Sequence, residues 1–263
     1  MTSCDCAGMI GKGGHARHKH IRSLLGSSDF EGTLVEKFGI APEKLINQLL
    51  CFLYDTDETI RWNAVRGVGI TVSAIAQKDL ERARTIMRRL IWSLNDESGG
   101  IGWGAPEAMG EIMAENNVLA REYHRILISY IDENGNLLGN NELERGVMWG
   151  INRLAGKRPG LLRRWTGPIL AQLKSTDPVK RGLAVLAMLS LADSFSNMPE
   201  LNRPAPLLAH LLLDQSEIRI FDNGSFEVYK ICVLASKLLE RLRSSPEASG
   251  RRQAAEKGFK LPR

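Results

Sequence analysis

The chain has 263 residues, 43% of them hydrophobic and 25% charged. That composition excludes wholesale disorder and supplies enough apolar side chains for a continuous core in one large or two small domains. The formal net charge of +5 favours acidic partners slightly, whether nucleic acid or protein. Four cysteines show no disulfide framework, so a reducing cytoplasm is expected. The longest apolar run, Leu183 to Ala192, is too short to cross a bilayer, and no membrane association is expected.

Residues 1–28 form a polar tail rich in Gly, Lys and His and are expected to be loosely ordered. Cys4, Cys6, His15, His18 and His20 lie there, but their spacing matches no structural zinc pattern, so no metal site is expected. Residues 29–243 carry helical periodicity. Leu45, Ile46, Leu49, Leu50 and Leu53 recur at the spacing of one helix face, as do Ile86, Leu90, Ile91 and Leu94, then Tyr123, Ile126, Leu127 and Tyr130.

Between these segments a second pattern repeats. Asp57 to Gly69 begins with an acidic helix cap, followed by Arg61 and Trp62, while Ala64, Gly67 and Gly69 supply small residues that let helices approach closely. About 41 residues later, Trp103, Ala105, Ala108 and Gly110 reproduce Trp62, Ala64, Gly67 and Gly69. Gly146 and Trp149 fit a weaker copy, and Asp177, Arg181, Ala184 and Ala187 a clearer one about 120 residues on. Two helices per unit of this length predict an all-α, right-handed superhelical solenoid of the HEAT/armadillo type, with about five helix pairs. Pro168 and Pro206 start or break helices in the later segments. A last helix is expected from about Phe226 to Leu242, preceded by a short extended run, Ile218 to Phe221, before Asp222-Asn223-Gly224. Residues 244–263 read as a basic, loosely ordered tail.

These residues resemble the HEAT-like repeats named after the phycobilin lyases. The stretch from Arg88 to Glu107, with a second block from Asn136 to Trp149, is similar to an uncharacterised HEAT-repeat family of sulfate-reducing and related anaerobic bacteria. The resemblance spans roughly residues 30 to 240 and implies the superhelical fold. It implies no activity and brings no catalytic residues.

Three local features are candidates for function. Gly99, Gly100, Gly102, Gly104 and Pro106 crowd the point where the repeat expects a first helical turn, so that helix should start late, near Ala105 or Pro106. The loop from Asn95, Asp96 and Glu97 through Trp103 to Glu107 would then stand beside a helix N-terminus able to receive an anion, unless the carboxylates close it. Second, the helices expected to line the concave side carry Arg82, Arg84, Arg88 and Arg89, then Arg121 and Arg125, then Arg163 and Arg164. They form a basic groove if they merge, with Trp92 and Trp165 for stacking, or a solvated face paired with Asp79, Glu81, Glu111 and Glu122. Third, Glu107 and Glu111 stand one helical turn apart and can share a face.

No phosphate loop, dinucleotide fingerprint or nucleophile motif is present. His124 and His210 are isolated. HEAT-like alkyl-purine DNA glycosylases use a concave Trp/Asp/Arg cluster, and Trp62, Trp92, Trp103 and Trp149 invite that comparison, but the motif order of that family is not visible. The reading is a non-catalytic, cytoplasmic interaction scaffold without a cofactor, not an enzyme. Its protein partner is expected on Arg84, Arg88, Arg89, Trp92, Asn95, Asp96, Glu97, Trp103, Glu107, Arg125 and Arg164. Nucleic acid in the same groove is the alternative. A buried carboxylate with a raised pKa beside the glycine loop is the feature that would favour an enzyme instead.

Overall fold

In the computed structural model, the described residues are 12–27, 30, 32, 42–94, 102–195, 204–222 and 224–243. The chain divides into two compact units, residues 1–154 and 155–263. The loop carrying Asn95, Asp96 and Glu97, the cysteines Cys4 and Cys6, and the basic C-terminal tail lie outside the described residues.

The first unit contains α1 (Lys12–Leu25), α2 (Pro42–Phe52), α3 (Glu58–Lys78), α4 (Leu80–Leu94), α5 (Ala105–Glu115), α6 (Asn117–Ser129) and most of α7 (Asn141–Lys157). Residues 12–25, which composition assigns to a loosely ordered tail, are helical. Ile21 and Leu25 are buried, His18 stacks on Phe52 with ring centroids 4.3 Å apart, and Arg22 forms an ion pair with Asp55. Two apolar anchors are enough to dock a polar helix, and a composition average hides them.

Helix boundaries follow from side chains within a few residues. Asp57 caps α3, its Oδ1 accepting from the amides of Thr59 and Ile60. Asp79 ends that helix and starts the next: its amide donates to the Ile75 carbonyl while its Oδ1 accepts from the Arg82 amide. Asn116 plays the same double part between α5 and α6. Single-residue joints of this kind leave no slack, so each pair is a tight antiparallel hairpin. Asn140 caps α7 through the amides of Glu142 and Leu143.

Contacts between successive pairs recur at the repeat spacing. Asn63 Nδ2 donates to the Leu25 carbonyl 38 residues away, and Ser73 Oγ to the Glu115 carbonyl 42 residues away. Arg89 meets Asn47, and Arg153 meets Glu111, each across 42 residues. First helices α3, α5 and α7 pack through small residues: Gly69 lies against the Glu111 side chain, Gly110 against the Gly150 backbone, and Gly146 against the Glu107 carboxylate. Second helices bury one stripe each, such as Ala83, Ile86, Met87 and Leu90 in α4.

The second unit contains α8 (Pro159–Leu162), α9 (Thr166–Ala171) with a 3₁₀ turn at Gln172–Lys174, α10 (Pro178–Ser194), α11 (Pro204–Leu211), a two-stranded hairpin, and α12 (Ile231–Arg243). Asp177 caps α10 through the Val179 amide. Arg181 bridges to Asp214 and to the carbonyls of Ser175 and Thr176, tying the start of α10 to the segment before the hairpin.

Strand β1 (Glu217–Asp222) pairs antiparallel with β2 (Ser225–Lys230), in a register that sets Phe221 opposite Phe226. Gly224 turns the chain with φ of 92°. The last helix therefore begins at Ile231 rather than near Phe226. Phe226, Val228 and Tyr229 are aromatic or β-branched, and their pairing with a strand already buried at Ile218, Ile220 and Phe221 outweighs the helical pattern that continues from α12.

Candidate functional site

Burying Ala83, Ile86, Met87 and Leu90 turns the opposite side of α4 outward, presenting Glu81, Arg82, Thr85, Arg88, Arg89 and Trp92. Arg89 Nη1 donates to Asn47 Oδ1 of α2 at 3.0 Å, and Arg84 Nε donates to Glu122 Oε2 of α6 at 2.9 Å. These two bonds set α2, α4 and α6 side by side with their exposed residues on one face. Lys44, Arg121 and Arg125 are also exposed on α2 and α6.

Carboxylates answer part of this charge. Glu81 accepts from Arg88 at 2.7 Å and from Arg84 at 3.4 Å. The hydrogen bond from Arg88 holds the Glu81 carboxyl below its usual range, and that from Arg84 does the same for Glu122. Both arginines are correspondingly raised. The pairing expected for a solvated face thus holds at Glu81 and Glu122. It does not hold at Glu111, which meets Arg153, nor at Asp79, which caps α4. Arg89 is held by an amide oxygen, and Arg82 and Arg121 have no ion pair among the described residues. Cations outnumber carboxylates on this face.

At the C-terminal end of α4 the chain returns through Gly102, Trp103 and Gly104. A Cβ on Gly102 would lie 2.8 Å from the Ser93 carbonyl oxygen, so only glycine lets the backbone come this close. Gly104, at φ of 75°, rests on the Leu53 side chain, and α5 starts at Ala105 with Pro106 in its first turn, where the glycines place it. Trp92 is 75% exposed, Trp103 43% and Tyr54 53%. The sequence reading missed Tyr54, although its place just past the apolar run ending at Leu53 was the available signal. Arg164 is exposed but belongs to the second unit.

Glu107 and Glu111 both face α7, with different outcomes. Glu111, 2% exposed, accepts two bonds from Arg153, Nε to Oε2 at 2.7 Å and Nη2 to Oε1 at 2.8 Å. Glu107 packs its carboxylate onto Gly146, where any Cβ would come within 2.6 Å of it. Its Oε2 is shut off from solvent and accepts no hydrogen bond. Burial pushes the carboxyl pKa up to about 7; Arg61 opposes the shift and Glu142 adds to it. The site therefore contains the raised carboxylate beside the glycine turn. Trp62 and Trp149 pack on one another at 4.7 Å, and Trp149 is buried. His124 is buried with Nδ1 on the Ala120 carbonyl, and His210 contacts the Leu173 carbonyl. Among the described residues, neither bonds to a carboxylate. No cluster of metal-ligating side chains occurs among the described residues.

No family model matches the chain. An uncharacterized protein of Archaeoglobus fulgidus is 34% identical over 110 residues, which is 41% of this chain and 53% of that protein. The chain thus matches about half the length of that relative. The crystal structure of an engineered protein aligns with a TM-score of 0.52 at 15% identity, covering 88% of this chain and 92% of the other. The archaeal HEAT-like repeats protein from Thermococcus onnurineus NA1 aligns over 87% of this chain and 97% of its own, with 13% identity and a TM-score of 0.39. The narrower likeness to a family of sulfate-reducing bacteria is not matched by any of these. Among the described residues, no helix is long and apolar enough to cross a membrane. Among the described residues, helix pairs in contact across about 40 residues make the fold an all-α, HEAT-like helical repeat, with a two-stranded β-hairpin at Glu217–Lys230.

Proposed function

We propose that this chain is a non-catalytic, cytoplasmic interaction scaffold that holds a protein partner on the face of α2, α4 and α6 and on the turn at Trp103. The observation that carries the reading is the exposure of Trp92 one helical turn beyond Arg88 and Arg89. Tryptophan and arginine dominate the energetics of protein interfaces, because each buries a large area and makes directional polar contacts. Stacked helix pairs present such residues over a continuous surface, which suits recognition of another chain.

Nucleic acid is supported less well. A phosphate backbone on this face would meet the carboxylates of Glu81 and Glu122, and it would have to take Arg84 and Arg88 from them. Glu107 favours an acid–base enzyme as a second reading, since a carboxyl near neutrality is suited to proton transfer. Against it, Oε2 is sealed from solvent and packed on Gly146, with no histidine or second carboxylate bonded to it.

Affinity purification from the native host, with and without nuclease and at two salt concentrations, tests the assignment. A protein retained stoichiometrically after nuclease treatment is the expected result. Recovery of nucleic acid alone, lost as salt rises, would replace the scaffold with a nucleic-acid binder.

A further inference from the structure

Three exposed aromatic residues flank the turn at the C-terminal end of α4. Leu53, the neighbour of Tyr54, lies under Gly104, and Ser93, the neighbour of Trp92, lies against Gly102. Trp103 sits between those two glycines. The contacts set the backbone beside Tyr54 and beside Trp92 against the turn that carries Trp103, although the three residues come from just past α2, the last turn of α4 and the turn before α5. The chain has only five tryptophans and four tyrosines, so leaving three of them 43–75% exposed together is not an average surface.

Among the described residues, the carboxylates nearest the cluster are engaged: Asp57 caps α3, and Glu58 lies 4.0 Å from Arg61. Asp55, next to Tyr54, is neutralised by Arg22, whose Nε and Nη2 each lie 3.0 Å from a carboxylate oxygen. Arg88 and Arg89 lie one turn before Trp92, and Arg82 lies about 15 Å from Trp92 along α4 at the usual helical rise. Among the described residues, Arg82, Arg89 and Arg121 hold no carboxylate, and they alternate with the occupied pairs at Glu81 and Glu122. Discrete acids can fill such gaps one at a time. Evenly spaced phosphates cannot avoid the two glutamates.

We infer that the occupant of this face is an acidic peptide segment of a protein partner, anchored by an aromatic or long apolar side chain among Tyr54, Trp92 and Trp103, with its carboxylates on Arg89 and Arg82. The inference rests on the protein-binding reading and adds the chemistry of the partner. An extended chain advances about 3.3 Å per residue, so the acids lie within about five residues of the anchor.

Panning randomised dodecapeptides on the full chain at moderate salt tests this, in parallel on the wild type, on R82E/R89E and on Trp92→Ser. Among the described residues, Arg82 and Arg89 hold no ion pair, so their reversal leaves the Glu81 and Glu122 bridges intact, and circular dichroism checks the fold of each variant. The expected outcome is enrichment of peptides with acids near one aromatic or leucine, bound about tenfold or more weakly by both variants. Enrichment of neutral or basic peptides overturns the inference. So does a single-stranded oligonucleotide that binds more tightly than any selected peptide and ignores Trp92→Ser. Peptides indifferent to both variants bind elsewhere, which sinks this site but leaves the protein-binding reading standing. If no peptide is selected and no host protein is retained in the purification, both fall.

Discussion

Glu107 and Glu111 show how far two identical side chains, one helical turn apart, can diverge. Arg153 compensates the burial of Glu111 with two short bonds, whereas the Oε2 of Glu107 is buried without a donor. Truncating Arg153 to Met should therefore destabilise the protein by about 3 kcal/mol, because it leaves a buried charge unpaired. Equilibrium urea unfolding measures it, and a loss below about 1 kcal/mol would show that water compensates Glu111. Glu107 predicts a pH dependence of a particular sign. Its folded pKa of about 7 lies above the ordinary value of 4.5, so the native state binds the proton more tightly than the unfolded chain. The contribution is complete below about pH 4.5, is lost between about 4.5 and 7, and is flat above, with a ceiling near 3 kcal/mol. Glu107→Gln should flatten that slope when unfolding is compared at about pH 5 and pH 8. An unaltered slope would mean that the carboxylate gains solvent in the folded state.

Helix α5 is held on both sides by contacts that leave no room for a side chain. Gly110 meets the Gly150 backbone, and backbone cannot rotate away as a side-chain end can. Gly110→Ala should cost about 1–3 kcal/mol from overpacking, which exceeds the roughly 1 kcal/mol that alanine gains over glycine in helix propensity. Gly156→Ala is the control, since a Cβ there meets nothing within 4 Å, and it should be neutral or stabilising by up to about 1 kcal/mol. Equal thermal shifts in the two variants would mean that α5 and α7 pack less closely than described. The hairpin teaches a different lesson about elements. Residues 226–230 carry a pattern compatible with helix, and only the partner strand at 217–222 decides for extension.

For the molecule as a whole, the proposed scaffold role puts function on a surface, and the prediction at this scale concerns charge. Reversing Arg88 and Arg89 to Glu should weaken retention of the partner about tenfold or more while leaving the melting curve nearly unchanged. Both side chains are exposed, and surface ion pairs of the Arg88–Glu81 kind contribute about 0–1 kcal/mol. Unchanged retention by a folded double variant would remove the α4 face from the interaction.

Sequence alone determined the repeat, its spacing, the caps at Asp57 and Asp177 and the late start of α5 at Ala105. Each depends on residues a few positions apart, where helical periodicity, capping and glycine or proline stereochemistry act locally. Tertiary structure alone decided which arginines meet carboxylates, why Glu107 is desolvated while Glu111 is paired, and that the segment at Leu53 meets the turn at Gly104. The deciding contacts join separate helices, as Arg84 meets Glu122 across 38 residues and Arg153 meets Glu111 across 42, where a shift of one helical turn changes the partner and no local pattern records it.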